Sequence, residues 1–143
     1  MSISKPLNPI VLIDDDDVAI ESATRSLRKW GVDNPIFSAM DGMAGLALLR
    51  GQSPSGRLPG APIVMLDLNM PNMNGFEFLD ALRADQELRS TVVFILSTSN
   101  SDFDRSRAYQ EHVAGFMVKS ALGPQFSKLA NFLKAYHDTV SYP

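Results

Sequence analysis

The stretch that most constrains the fold is residues 63–75, where an apolar run ends at an aspartate and turn residues follow. Four consecutive apolar residues, 63–66, predict a short strand that is buried on both faces, as strands of parallel sheets are. Asp67 stands at the carboxyl end of this strand, and the Asn74–Gly75 pair indicates a turn before a helical pattern begins. Because open α/β sheets bind ligands beyond the carboxyl ends of their strands, Asp67 is placed for chemistry rather than for packing.

A second apolar run ends in the same way. Residues 10–13 are all apolar, and four consecutive aspartates, 14–17, follow them. If the two strands are neighbours in a parallel sheet, Asp14 or Asp15 lies close to Asp67. Two carboxylates about 4 Å apart repel each other by roughly 4 kcal/mol at an effective dielectric constant near 20, so a cation is needed to offset them. Where carboxylates and a phosphate share a site, that cation is usually Mg²⁺.

Strands and helices alternate along the rest of the chain, which predicts an α/β fold with a doubly wound parallel sheet of five strands and five helices. Asp17 is expected to cap the first helix. Residues 51–62, rich in glycine and proline, are expected to form a surface loop. The predicted strands cover residues 10–13, 35–38, 63–66, 92–96 and 116–118, and the predicted helices cover 17–30, the residues after 42, the residues after 75, 102–112 and 122–136.

Length and charge exclude several classes of protein. The chain has 143 residues, for which we expect a flexible arm at 1–8, one domain at 9–138 and a short tail at 139–143. A net charge of −3, without a cluster of Lys and Arg, argues against a nucleic-acid surface. The absence of cysteine excludes thiol catalysis. Because no apolar run reaches membrane-spanning length and no signal peptide is evident, the expected location is the cytoplasm, without a membrane partner.

Packing or a surface position explains most of the aromatic residues and histidines outside these strand ends without a ligand. Trp30 falls in the apolar stripe of the first helix and is expected to anchor the core or its rim. Phe132 lies about a quarter-turn off the stripe of the last helix, so it either is partly exposed for a partner or packs at an edge. His112 and His137 are expected at helix ends or on the surface rather than as ligands.

Two more polar residues end predicted strands, and the spacing of all four motifs resembles a known family. Ser97 ends the fourth strand, and Lys119 directly follows the fifth. Together with the acid run and residues 67–75, they are similar to the receiver domain of two-component response regulators over residues 9–138. Within that family, residues 96–99, 109–113 and 119–120 are most similar to single-domain regulators that work with phytochrome-type histidine kinases. The resemblance implies a flavodoxin-like topology.

The resemblance also implies a function and a set of roles. Receivers accept a phosphoryl group from a phosphohistidine, on a sensor histidine kinase or a histidine phosphotransfer protein, and Asp67 matches the acceptor. The implied Mg²⁺ ligands are Asp15, Asp67 and the backbone carbonyl of Asn69, with Asp14 in the outer coordination sphere or bridging through water. A receiver is a signalling switch rather than an enzyme in the ordinary sense.

The remaining roles concern the phosphoryl oxygens and the switch. Lys119 is expected to pair with Asp67 at rest and with a phosphoryl oxygen afterwards. The Ser97 hydroxyl is expected to donate to another phosphoryl oxygen, and Phe116 matches the aromatic residue that rotates with it. The expected output is a change in the face of helix four, strand five and helix five, through which the protein binds a partner or forms a homodimer.

The sequence departs from the usual receiver pattern at two positions near the site. Ser120 stands where proline usually follows the lysine, so the sequence leaves open whether the Lys119–Ser120 peptide bond is cis, as it often is in the family. Thr98 replaces a smaller residue and narrows access to the phosphoryl site.

Two other functions compete with the switch. The first is an interaction module with a receiver fold that works without phosphorylation. The second is a Mg²⁺-dependent hydrolase that uses Asp67 as a transient nucleophile, but such an enzyme needs a second acid and a substrate cap, and neither is evident in the sequence.

Overall fold

The computed structural model describes residues 8–70 and 73–143. Of the predicted arm, 1–8, it therefore describes only Asn8, whose backbone carbonyl accepts a hydrogen bond from the Asn34 side chain at 2.7 Å. Residues 71 and 72, between Asp67 and the Asn74–Gly75 turn, also lie outside the described residues. Among the helices of the described ranges, none has both the length and the apolarity that crossing a membrane requires.

Five strands and five main helices alternate as predicted, and all strand pairs are parallel. The order in the sheet is β2-β1-β3-β4-β5, which confirms the doubly wound, flavodoxin-like topology. The elements are β1 Ile10–Ile13, α1 Asp17–Lys29, β2 Ile36–Ala39, α2 Gly42–Leu49, β3 Ile63–Asp67, α3 Gly75–Ala84, β4 Val92–Ser97, α4 Asp102–Gln110, β5 Gly115–Val118 and α5 Ser127–Thr139.

The sheet separates two apolar layers, because successive side chains of a strand point to opposite faces. On one face, Ile10 and Leu12 of β1 pack with buried residues of α1 and α5; we call this side the α1/α5 layer. On the other, Val11 and Ile13 pack with buried residues of α2, α3 and α4, and this side is the α3/α4 layer. The central strands β1 and β3 are buried throughout, which explains their unbroken apolar runs.

Helix boundaries differ from the predictions at three places. The cap of α1 is Asp16 and not Asp17: the Asp16 carboxylate accepts hydrogen bonds from the N–H groups of Val18 and Ala19. Helix α4 ends at Gln110, and His112 has a left-handed backbone with φ of 60°. Helix α5 begins at Ser127 rather than at 122.

The late start of α5 follows from the segment before it. Two short 3-10 turns, Lys119–Ala121 and Pro124–Phe126, fill the connection from β5. Gly123 has φ of 77°, which interrupts any helix there, and Pro124 follows directly. The Lys119–Ser120 peptide bond is trans, as are all peptide bonds of the described residues.

The remaining predictions about the surface are largely confirmed. The loop 51–62 contains no helix or strand. Trp30 caps the end of α1 with 42% of its surface exposed, so it lies at the rim and not in the core. Phe132 is 37% exposed, and its ring also packs edge-on against Phe94 with 5.2 Å between centroids; its contact with a partner stays a prediction. His137 lies half-buried on α5, beside Asn34.

Candidate functional site

Three acids meet at the carboxyl edge of the sheet. Strands β1 and β3 are neighbours in a register that pairs Ile13 with Leu66, so the next residues, Asp14 and Asp67, come side by side. Carboxylate oxygens of Asp14, Asp15 and Asp67 all lie within 4.8 Å of one another. Asp14 and Asp67 are buried, whereas Asp15 is exposed. The structure therefore brings together the acids that the sequence placed at two strand ends.

Asp14 is held at both of its oxygens. Its Oδ1 accepts a hydrogen bond from the Asp16 N–H at 2.9 Å, and its Oδ2 accepts one from Lys119 Nζ at 2.8 Å. We expected Lys119 to pair with Asp67, and that prediction is wrong for this structure, because the ammonium donates to Asp14. The charge of Asp67, like the hydrogen bond and charge of Asp14, raises the pKa of Lys119. The one ammonium therefore interacts electrostatically with both buried acids.

The electrostatics of the site follow from burial and crowding. Burial is the main cause that raises the pKa of Asp67, from 3.8 to about 6, and the negative charges of Asp14 and Asp15 add to it. The Lys119 ammonium and the hydrogen bond from the Asn69 N–H, at 3.3 Å, oppose this rise. Burial alone lowers the pKa of Lys119, but the hydrogen bond to Asp14 and the nearby carboxylates raise it overall. The protein's own cation thus offsets the acids only in part.

Ser97 and Phe116 lie on the other face of the sheet from Asp14 and Asp67. The pairing of Ile95 with Phe116 sets the register of β4 and β5, and Ile95 and Phe116 both pack in the α3/α4 layer. Ser97 follows Ile95 by two positions and so shares its face. It is fully buried, and its Oγ accepts a hydrogen bond from the Ser99 N–H at 3.1 Å. Asp67 follows Met65 by two positions and so belongs to the α1/α5 side.

Gly75 is a site residue for which the sequence offered only a turn signal. A Cβ at this position would lie 2.7 Å from the Leu68 Cα and 2.9 Å from the Asp67 carbonyl oxygen. Only glycine therefore lets the start of α3 pack this closely against the backbone that carries Asp67. Asn74 caps the same helix in a capping box with Glu77, which further fixes the turn after the acid.

The contact of Arg107 with Phe76 is a second feature that sequence reasoning missed. Its guanidinium carbon lies 4.1 Å from the centre of the Phe76 ring, and so joins α4 to the first turn of α3. The two residues are distant in sequence and neither belongs to a motif, so no local pattern could have paired them.

The donor set fits a hard divalent cation. Three carboxylates within 4.8 Å offer the oxygen ligands that Mg²⁺ and Mn²⁺ prefer. Burial, and after it the charges of Asp14 and Asp15, raises the pKa of Asp67, and a bound cation would favour the charged carboxylate instead. The Asn69 backbone carbonyl stays a predicted ligand.

Comparison with known proteins identifies the family. A family model described as the response regulator receiver domain matches residues 10–130. The chain is 32% identical over 128 residues to the protein named "Probable methanogenesis regulatory protein FilR2" of Methanothrix harundinacea, which covers 89% of this chain and 81% of that one. It is 26% identical over 141 residues to response regulator Rcp1 of Synechocystis sp., with 98% and 96% covered.

Solved structures agree with the sequence relatives. The phosphorylated cyanobacterial phytochrome response regulator RcpA matches with a TM-score of 0.81 at 26% identity, over 96% of this chain and 99% of that one. The Mn²⁺-bound form of Rcp1 matches with a TM-score of 0.81 at 25% identity, over 95% and 99%. With the family model spanning all five strands, the chain belongs to the response regulator receiver domain family of two-component systems, and its relatives include single-domain phytochrome response regulators.

Proposed function

We propose that this receiver accepts a phosphoryl group on Asp67 from a phosphohistidine, in a reaction that depends on Mg²⁺. The observation that carries the proposal is the convergence of the Asp14, Asp15 and Asp67 carboxylates beside the Lys119 ammonium. A carboxylate attacks phosphorus well when positioned cations neutralise the charge on the phosphoryl oxygens. In the step, a bond forms between an Asp67 carboxylate oxygen and phosphorus, the phosphorus–nitrogen bond breaks, and its electron pair stays on the imidazole.

The metal would be held by Asp15, Asp67 and the Asn69 backbone carbonyl, with Asp14 joined through water. Asp14 suits the outer position because both of its oxygens already accept hydrogen bonds from this chain. When bound, the ion supplies two positive charges that offset the carboxylates and the phosphoryl oxygens. The Mn²⁺-bound form of Rcp1, a relative of the same fold, supports a divalent ion in this family.

Lys119 and Ser97 would then recognise the phosphoryl group. Lys119 Nζ lies beside both buried acids and can donate to a phosphoryl oxygen. The Ser97 oxygen accepts a hydrogen bond from the Ser99 N–H, and a hydroxyl group can donate its own proton as well. A Ser97 bond that exists only in the phosphorylated state would bias a two-state equilibrium, and Phe116, which packs in the layer that Ser97 faces, would respond.

The output surface would be the face of α4, β5 and α5. Helix α4 exposes Phe103 and Tyr109 at 73% and 49%, and α5 exposes part of Phe132. Exposed aromatic side chains are enriched in protein interfaces, which supports a homodimer or a partner on this face. The likeness to phytochrome response regulators supports a phytochrome-type histidine kinase as the donor.

Labelling with a small phosphodonor tests the chemistry. Wild type, Asp67→Asn and the control Asp17→Asn, an exposed acid outside the cluster, are mixed with acetyl phosphate and Mg²⁺, and their intact masses are measured. Wild type and Asp17→Asn should each gain one phosphoryl group, and Asp67→Asn none. Equal labelling of Asp67→Asn would contradict the assignment, and no labelling of any form would favour the phosphorylation-independent interaction module. Sedimentation of labelled and unlabelled protein then tests the homodimer.

A further inference from the structure

Helix α2 differs from the other main helices in the chemistry of its side chains. Its eight residues, Gly42–Leu49, are all glycine, methionine, alanine or leucine. The other four main helices, α1, α3, α4 and α5, each carry charged residues. A helix at the surface of a soluble protein normally turns a polar face toward water, whereas a helix that is apolar on all sides is normally buried. The composition of α2 is therefore that of a helix covered on both sides.

One side of α2 is nevertheless exposed in the single chain. The leucines of the helix pack in the α3/α4 layer. On the opposite side, Met43 is 62% exposed, Ala44 is exposed and Ala47 is half-buried. These three residues fall within about 100° of one another around the helix axis, and we call them the α2 outer face. Met40, which precedes the helix, adds another apolar side chain with 46% of its surface exposed.

The α2 outer face suits a second apolar helix. Ala44 and Ala47 are small and lie one turn apart, so another helix can approach closely over them. Met43 beside them has a flexible side chain that adapts to the shape of a partner. Since the face carries no charge, an identical face can meet it without like-charge repulsion, even though the chain has a net charge of −3.

The charges at the two ends of α2 favour a copy of the same chain as the occupant. Asp41 caps the amino end of the helix. Arg57 lies at the carboxyl end, because its Cα is 3.4 Å from the position that a Cβ on Gly51 would take. Arg50 at this end is paired with Asp85. Arg57, by contrast, is exposed and makes no ion pair within the described residues.

A two-fold axis perpendicular to α2 satisfies both ends at once. Two copies related by such an axis place their α2 helices antiparallel, so the acidic end of each helix lies beside the basic end of the other. Asp41 of one copy then lies beside Arg57 of the other copy, and the pair occurs twice. A parallel arrangement would instead bring like charges together. Because the contact uses the same face of both copies, it closes at a dimer.

We propose that the α2 outer face is a dimer interface, in which two copies of this chain pack their α2 helices antiparallel. Helix α2 contacts β1 and β2 at one edge of the sheet, whereas β5 forms the other edge. The interface is thus separate from the face of α4, β5 and α5 and leaves that face accessible to a partner. It requires no phosphoryl group, so it stands independently of the function proposed above.

Sedimentation velocity of the full chain, unphosphorylated and without divalent ions, tests the dimer. An eight-residue helix and its flanks bury less than the roughly 800 Å² per partner of a standard interface, so we expect a weak dimer with a Kd of about 10 µM to 1 mM. The sedimentation coefficient should therefore rise from the monomer value toward the dimer value over this range of concentrations. A monomer at every concentration would overturn the proposal.

Ala44→Glu tests the apolar face. The substitution should raise the Kd about tenfold or more, because dimerisation would bury a new carboxylate on each copy. Glutamate is a good helix former and suits this position in the first turn, so the variant should fold, which circular dichroism checks. The control, Phe103→Glu, adds the same charge at a 73% exposed position of α4 and should leave the Kd unchanged. An unchanged Kd in Ala44→Glu, or an equal loss in both variants, would place the contact elsewhere and overturn the proposal.

Arg57→Glu tests the antiparallel arrangement. It sets two carboxylates together at each end of the paired helices and should raise the Kd about tenfold. Lys134→Glu makes the same change of net charge at an exposed position of α5 and should leave the Kd within about twofold of wild type. An equal effect of the two substitutions would mean that only net charge matters, and would contradict the pairing of Asp41 with Arg57.

Discussion

Asp14 shows what a single residue of the acid run does in this fold. The residue pattern left open whether Asp14 or Asp15 lies beside Asp67, although the family resemblance gave the two different roles; in the structure the two differ in burial and in contacts. Asp14 is buried and fastened by the Asp16 N–H and the Lys119 ammonium, whereas Asp15 is exposed. Period-two alternation along β1 predicts that Asp14 and Asp15 differ in direction, yet it cannot reveal that a lysine 105 positions later chooses Asp14.

The pKa of Asp67 leads to a prediction about stability without metal. The folded-state pKa is raised from 3.8 to about 6, so the stability that protonated Asp67 contributes is present below pH 3.8 and lost as the pH rises through 6. At pH 7.5 in EDTA, Asp67→Asn should therefore be more stable than wild type by about 1 to 3 kcal/mol. Urea unfolding measures this, and the difference should shrink at pH 4. Equal stability of the two proteins at pH 7.5 would show that the acids do not strain the metal-free site.

At the scale of elements, the hydrogen bonds of individual side chains decide where helices begin and how they are held. Four consecutive aspartates offer several possible caps, and the sequence alone favoured Asp17. The structure chooses Asp16 because its extended backbone aims the carboxylate at the first free N–H groups of α1. The start of α5 was missed for a similar reason: apolar spacing continued through 122–126, but Gly123 and the left-handed residues after it prevent a continuous helix.

The cap assignment predicts unequal effects of two neighbouring substitutions. Asp16→Ala should lower the free energy of unfolding by about 0.5 to 2 kcal/mol, because it leaves two N–H groups of α1 without their acceptor. Asp17→Ala, in the first turn of the same helix, should cost no more than about 0.5 kcal/mol. Urea unfolding with saturating Mg²⁺ compares the two, and a larger loss for Asp17→Ala would reverse the assignment.

Arg83 joins three segments and provides a second prediction at this scale. Its guanidinium donates to the backbone carbonyls of Arg89, Thr91, Glu111 and His112, at 2.8 to 3.0 Å, and so ties α3 to the start of β4 and to the end of α4. Arg83→Met should lower the free energy of unfolding by about 2 to 4 kcal/mol, because several carbonyl groups lose a charged donor at once.

The matched control for Arg83 is Arg89→Met. Arg89 is exposed, and its side chain makes no ion pair or hydrogen bond within the described residues, so its replacement should change stability by less than about 0.5 kcal/mol. A similar small effect of both substitutions in urea unfolding would show that Arg83 does not hold these segments together.

At the scale of the whole molecule, the alternation of apolar runs and helical patterns was enough to predict the architecture. Every predicted strand exists, and the strand ends carry Asp14, Asp67, Ser97 and Lys119 to one edge. The sheet order and the distribution of these residues between two faces depend on pairings across the sheet, which no local pattern contains. The contacts of Arg83 and Arg107 are of the same long-range kind.

Metal binding should stabilise the folded molecule as a whole. At a Mg²⁺ concentration about 100 times the Kd, wild type should gain about 2.7 kcal/mol over its stability in EDTA, a rise in Tm of roughly 10 °C. Asp67→Asn should lose most of this gain, because it removes one ligand and one negative charge. Thermal unfolding monitored by circular dichroism measures both, and an equal rise in the two proteins would place the ion elsewhere.

The division of the site between the two faces of the sheet has a consequence for how a signal leaves it. A phosphoryl group on Asp67 would contact the Lys119 amine on the side of the α1/α5 layer and the Ser97 hydroxyl on the side of the α3/α4 layer. Phosphorylation of Asp67 would then affect both helix layers at the same time. A phosphodonor protein that binds over one layer would leave the other layer accessible to a downstream partner.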